Sequence, residues 1–239
     1  MKSQGFSLTE MLISLFLASI IMAALFQVYW VIKRDYTATQ KILDKQFDIL
    51  WVTELLADSI RRSGFTPCMG IEHLITKESI PTLSYSNSLQ SITSHRMGED
   101  CVKVLQILSP SRILVPKSAA FDEDQKLLVA DCYHAEIHTL YQIHSFPYGK
   151  VLTLTTPLIF NYPDTIYAGE WIEETWFIKN NAKQIPTLFY KHKQTEELTP
   201  WIQGVHTKEH RIKNKRLLEV QLDSPHMPLS PLYTAVLNS

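Results

Sequence analysis

Met11 to Ile32 reads MLISLFLASIIMAALFQVYWVI, 22 consecutive residues without a charge. Coiled as an α-helix at about 1.5 Å per residue, the run extends about 33 Å, enough to cross a hydrocarbon core. Its polar members are few: Ser14 and Ser19, which can bond back to the helix backbone, and Gln27 near one end. Tyr29 and Trp30 stand where interfacial aromatics collect, and Lys33, Arg34 and Asp35 stop the run. Ahead of it lie only two charged side chains, Lys2 and Glu10. A cleavable secretory signal has an apolar stretch of roughly 7–15 residues followed by a small-residue cleavage site. This run is longer, and no A-x-A follows it. A signal anchor fits the length but leaves Glu10 unexplained. A carboxylate at the edge of a span costs about 3 kcal/mol unless paired, which makes it a functional candidate.

The residues around Glu10 supply a reason for it. Gly5-Phe6-Ser7-Leu8-Thr9-Glu10 resembles the processing site of type IV prepilins and of type II secretion pseudopilins. That pattern is a short polar leader ending in Gly, then Phe, then Glu as the fifth mature residue, then an apolar helix. The resemblance implies that a prepilin peptidase cuts between Gly5 and Phe6 and that the new N-terminus at Phe6 is N-methylated. Glycine lacks a Cβ, so a peptidase can approach its backbone closely. The cut leaves a cationic amine in an apolar setting. Glu10 of one subunit can then pair with the Phe6 amine of a neighbour during assembly, where either charge alone would be costly.

Outward from the apolar run the helix continues. Ile42, Leu43, Phe47, Leu50, Trp51, Leu55, Leu56 and Ile60 recur at spacings of three and four, the stripe of an amphipathic helix. Gly64 is a natural stop, preceded by Arg61 and Arg62 at the negative helix end. No Pro interrupts before Pro67. The expected organisation is a leader at 1–5, a membrane or filament-core half at 6–32, an amphipathic half at 33–63 and a head at 64–239. In the head, β-like runs at 102–108, 126–129, 135–143, 150–156, 170–178, 187–191 and 217–222 are separated by Pro and Asn breaks. Residues 69–100, rich in Ser and Thr, read as a loop-rich insert, and 233–238 as a candidate final strand. The fold class is α+β: a long N-terminal helix whose amphipathic half cradles a mainly antiparallel β head.

A second resemblance covers this head. Residues 54–68, ELLADSIRRSGFTPC, resemble the helix end of PilW-type minor pilins. The Val129-Ala-Asp-Cys132 segment and the stretch 173–190, EETWFIKNNAKQIPTLFY, resemble further segments of that family in the same order. The J-type pseudopilin of type II secretion is the next nearest pattern. What the resemblance implies is a minor pilin acting in a priming or tip complex of the type IV pilus. Its partners are then other minor and major pilins, the prepilin peptidase, the inner-membrane assembly platform, and lipid before assembly. The expected location is the inner membrane as a single pass, head in the periplasm, and the pilus after assembly. The reading from another class is a monomeric membrane-anchored periplasmic binding module or enzyme. An anchor alone needs neither Gly5 nor Glu10.

Composition narrows the chemistry. The 239 residues carry a formal net charge of −1, so nucleic-acid binding would need a local basic patch. Lys208, His210, Arg211, Lys213, Lys215 and Arg216 form one, but aromatics for base stacking are absent nearby, and a solvated strand and turn fits better. His134 and His138 stand at i, i+4, yet Glu136 is one place late for the helical zinc-protease pattern. On a strand that spacing separates the pair by roughly 13 Å. Asp122-Glu123-Asp124 lacks the Gly and closing Glu of a calcium loop. No metal, cofactor or catalytic residue is expected, and no enzyme. Three cysteines allow at most one intrachain disulfide in an oxidising compartment. Cys101 and Cys132 each abut an expected strand and are favoured as the pair, which leaves Cys68 buried or free.

Overall fold

The computed structural model describes residues 8–212, 215–225 and 229–235. Helix α1 (Leu8–Arg61) comes first, then a 3-10 turn at Ile71–His73. The strands follow as β1 (Ile75–Thr76), β2 (Leu83–Ser86), β3 (Ser91–Met97), β4 (Val102–Lys103), β5 (Gln106–Ser109), β6 (Arg112–Val115), β7 (Lys126–Ala130) and β8 (His134–Phe146). Then come β9 (Gly149–Leu154), β10 (Tyr167–Asn180), β11 (Pro186–Lys191), β12 (Thr195–Thr199), β13 (Gly204–Ile212), β14 (Lys215–Asp223) and β15 (Leu232–Ala235). The fold is α+β: one long N-terminal helix and a large antiparallel β head.

The chain divides into two compact units, 1–48 and 49–239. In the first, the described residues form α1 up to Asp48, and their side chains are exposed apart from a half-buried Lys45. In the second, the main sheet runs β12-β11-β10-β7-β8-β9-β6-β5, with β1 to β4 attached beside this path. The β1–β8 ladder, two residue pairs long, is parallel, and the other ladders are antiparallel. β10 organises the sheet. Its first residues pair with β7 and β4, its middle with β3, and its last with β11. A separate meander, β13-β14-β15, runs in register from Gly204 opposite Asp223 to Ile212 opposite Lys215.

The last turns of α1 pack onto this unit through Ile49, Val52, Leu56, Ala57, Ser59 and Ile60. Val52, Leu56 and Ile60 share a cluster with Ile92, Trp176, Leu188, Ile202 and Leu218. Each fully buried aliphatic contributes about 1.5–3 kcal/mol relative to exposure. This corrects the stripe expected from spacing. Of its members only Leu56 and Ile60 are buried, while Ile42, Leu43, Phe47, Leu50, Trp51 and Leu55 are exposed. The buried face is narrower and includes the small Ala57 and the polar Ser59, which a search for large apolar residues passes over.

Gly64 ends the helical turn at φ +73°, where a Cβ is strained, and its N–H donates to the His95 carbonyl at 2.7 Å. The segment 69–100, expected to be loop-rich, holds β1, β2 and β3. β3 pairs along seven residues of β10 and buries Ile92, Ser94, His95, Arg96 and Met97. Its polar sequence hid a core strand because Ser94 and the Arg96 guanidinium find partners inside the fold, in Ser59 and Glu174. The run 102–108 is not one strand either. It breaks between β4 and β5 at the buried Val104, whose N–H donates to the Ile166 carbonyl at 2.9 Å. Beyond Ala235 the expected last strand lies outside the described residues.

The disulfide is also corrected. Cys68 pairs with Cys132, with Cα atoms 5.3 Å apart, and Cys101 is a free thiol. Cys132 lies in the turn between β7 and β8, Cys68 in the segment just after α1, and both reach one place in the fold. Cys101 packs instead under β10, where a Cβ on Gly169 would meet its Cβ at 2.8 Å. Adjacency to a strand misled, because it favoured Cys101 over Cys68, whose approach to Cys132 depends on the tertiary fold. The bridge closes a loop of sequence separation 64, and loop entropy alone predicts about 4 kcal/mol of stabilisation. Cys132→Ser is therefore expected to lower the urea midpoint markedly while Cys101→Ser leaves it within experimental error. Equal effects of the two would contradict the pairing.

Candidate functional site

The first unit presents an apolar cylinder. Leu12, Phe16, Ile20, Phe26 and Val31 are all at least half exposed. Such a surface is stable only in lipid or against other helices. Its hydroxyls are satisfied internally: Ser14 Oγ donates to the Met11 carbonyl at 2.9 Å and Ser19 Oγ to that of Phe16 at 2.7 Å. The far end of the span has the structure of a membrane–water boundary. Phe26 meets Trp30 edge-on at 6.2 Å, and Lys33 Nζ lies 5.8 and 5.7 Å from the Tyr29 and Trp30 ring centres. Glu10 is exposed in the first turn of α1, where the helix N-terminus favours an anion. Gly5 and Phe6 lie outside the described residues.

In the second unit a buried polar cluster fastens the helix end to the sheet. Ser59 Oγ donates to Glu174 Oε2 at 2.6 Å, and its own oxygen accepts from Trp176 Nε1 at 3.2 Å. Ser94 Oγ lies 2.7 Å from Ser59 Oγ. Arg96 Nη2 donates to Glu174 Oε1 at 2.9 Å, and Tyr190 OH to the same oxygen at 3.2 Å. Burial by itself would raise the Glu174 carboxyl. The hydrogen bond from Ser59, the charge and hydrogen bond of Arg96, and the bond from Tyr190 outweigh it and hold the group below the usual carboxylate range. Burial, with the neighbouring Glu174 charge, pushes the Tyr190 phenol up to about 12, so it stays a donor. Nothing in the spacing of residues 59, 96, 174 and 190 announces this cluster. It exists because α1, β3, β10 and β11 meet.

The remaining sequence candidates separate. His138, buried on β8, lies 3.1 Å from Glu136 Oε2 through Nε2 and 2.9 Å from Thr156 Oγ1 through Nδ1. His134 Nδ1 lies 3.4 Å from Asp131 Oδ2, so the two histidines take different partners. In the basic patch, Lys208 and Arg211 are exposed on β13, and His210 Nε2 lies 2.6 Å from Glu219 Oε2. Lys213 lies outside the described residues. Of the acidic pairs, Glu99 binds Arg62, whose hydrogen bond and charge hold its carboxyl below the ordinary range.

Residues 1–26 match the family model of the prokaryotic N-terminal methylation motif. No curated protein and no solved structure is significantly similar to the chain. The motif implies processing by a prepilin peptidase and assembly with other pilins, and with the apolar helix that follows it fits a protein anchored in the inner membrane. At this level the motif and the long apolar helix described from Leu8 onward indicate a type IV pilin-like or pseudopilin protein.

Proposed function

We propose that the protein is a minor pilin of the PilW type, a subunit of the priming or tip complex of a type IV pilus, with its head in the periplasm until assembly carries it to the cell surface. The observation that supports this most is the methylation motif at 1–26, with Glu10 at its fixed distance from Gly5, feeding directly into an uncovered apolar helix. The Cys68–Cys132 bridge favours an oxidising compartment for the head. In this reading the protein's part in the pilus is association: the helix bundles with other pilin helices, and the head makes lateral contacts.

Glu10→Ala tests it. The carboxylate is the partner offered to a neighbouring subunit's Phe6 amine, and losing one member of a buried charge pair costs about 3–5 kcal/mol. Insertion of the monomer should not suffer, because the substitution adds an apolar residue at the edge of the span. The expected result is normal cleavage and membrane level, with sharply reduced co-purification of other pilins and few surface pili. Unchanged association and piliation would remove the basis for the assembly role. Loss of protein export with pili intact would assign the subunit to a type II secretion pseudopilus instead.

A further inference from the structure

A cleft of about 550 Å³ opens on the head. Ile80, Pro81, Ile137, Pro157, Ile159 and Trp171 form its apolar walls, and the exposed Lys77 and Glu78 also line it. Set into it are three side chains in a hydrogen-bonded row: Glu136, His138 and Thr156. Glu136 and His138 are buried, with side chains only 3% and 2% exposed, while Thr156 is exposed.

The partners assign the polarity of the row. Glu136 accepts the N–H of Ile159 at 3.0 Å, the N–H of Phe160 at 2.9 Å and the phenol of Tyr162 at 2.9 Å. That is the pattern of a carboxylate acting only as acceptor. Burial and the adjacent Glu136 charge push the Tyr162 phenol far above its ordinary range, which keeps it a donor. The remaining group facing Glu136, His138 Nε2 at 3.1 Å, must then carry the ring proton. Nδ1 is left with a lone pair directed at Thr156 Oγ1, 2.9 Å away, and the threonine hydroxyl donates into it. Donors on Glu136 from the 159–162 segment fix the carboxylate, the carboxylate fixes the imidazole, and the imidazole is poised to take a proton from an exposed hydroxyl. A nucleophile, a base and a group orienting the base, within hydrogen-bond reach in a cleft, is the arrangement that activates a hydroxyl for attack on an acyl carbon.

We propose that this cleft is an acyl-transfer site for small apolar esters, with Thr156 as nucleophile, His138 as general base and Glu136 as the residue that positions His138. Thr156 Oγ1 attacks the ester carbonyl carbon while its proton passes to His138 Nδ1. The carbon–oxygen bond to the alcohol breaks, and the alcohol leaves with that proton. Water then attacks the acyl-threonine, gives one proton to Nδ1, and the carboxylic acid departs as Thr156 recovers its hydrogen. The sum is ester plus water to acid plus alcohol, with no redox change. Lys77 is the cation on the cleft available to the negative charge that develops on the carbonyl oxygen. The apolar walls suit the acyl chain. This activity goes beyond the assembly role and does not depend on it.

The experiment uses the full chain purified in detergent micelles, treated with a fluorophosphonate probe and, separately, with p-nitrophenyl butyrate. Covalent phosphonylation is expected on the peptide carrying Thr156. The Thr156→Val variant, altered at an exposed position, should lose labelling and ester turnover by at least about 100-fold, the usual worth of a positioned nucleophile and base. Thr156→Ser should retain both. Melting curves alongside confirm that each variant is folded. Absence of label at Thr156 in the wild type, or turnover unchanged in Thr156→Val, would overturn the assignment and leave the row a structural tie. Pilus assembly by Thr156→Val cells is expected to be normal, so failure of this proposal and failure of the pilin reading are separable.

Discussion

Gly5→Val is expected to leave the protein entirely uncleaved, with its N-terminus at Met1 rather than at Phe6. The peptidase must bring its catalytic groups against the peptide bond that follows residue 5. A glycine offers bare backbone there, and a β-branched valine puts two methyl groups in the way. The apolar run from Met11 to Ile32 is untouched, so membrane insertion should proceed at the wild-type level. Two consequences separate this outcome from general misfolding. The intact mass should exceed that of the mature protein by the leader and lack the N-methyl group. Assembly should be impaired as in Glu10→Ala, because the uncleaved subunit offers its neighbour no amine at Phe6. Intact-protein mass spectrometry of membranes from cells with an active prepilin peptidase decides the matter. A wild-type chain still beginning at Met1 would refute the processing site.

The second large effect belongs to the head. Glu174→Ala is expected to destabilise it by about 3–5 kcal/mol, the range for removing one partner of a buried pair. Arg96, 9% exposed at its side chain, would be left charged and buried. Ser59 and Tyr190 would lose an acceptor at the same stroke. The pH dependence carries a defined sign. The Glu174 carboxyl sits below its ordinary value in the folded state, so its contribution is complete above the unfolded-state pKa. It is lost as pH falls through the folded-state value, in the window below about pH 4.3. Urea unfolding of the wild type between pH 7 and pH 3 should show stability dropping in that acid window, and Glu174→Gln should flatten this part of the profile. A Glu174→Ala head as stable as the wild type at pH 7 would mean that the cluster does not fasten the helix end to the sheet.

How far each feature could be read from the chain depends on how local its cause is. The apolar span is a property of adjacent residues and their distance from Gly5 and Glu10, so it needs no folding to be visible. β7, β10, β11 and β14 announce themselves by runs of branched and aromatic residues between Pro and Asn breaks. β3 does not, because Ser-Ile-Thr-Ser-His-Arg-Met looks like a polar loop until Ser94 meets Ser59 and Arg96 meets Glu174. The helix stripe fails for a related reason. Spacing identifies a face of large apolar residues, but Leu50 and Trp51 stay exposed while Ala57 and Ser59 go inside. The tight approach of α1 to β3 and β10 requires small side chains there.

The sequence by itself determined the N-terminal signal, the long apolar helix and the α+β class, because each rests on composition and spacing within a few turns of chain. Tertiary structure alone decided that Cys68 rather than Cys101 bridges to Cys132. It alone decided which side of the helix end is covered, and it alone brought residues 59, 96, 174 and 190, and residues 136, 138, 156 and 162, into two hydrogen-bonded clusters. Those contacts join residues 16 to 115 apart in sequence in the first cluster and up to 26 apart in the second. At such separations partner choice follows from the register of sheet and helix in three dimensions, and a linear pattern holds no record of it.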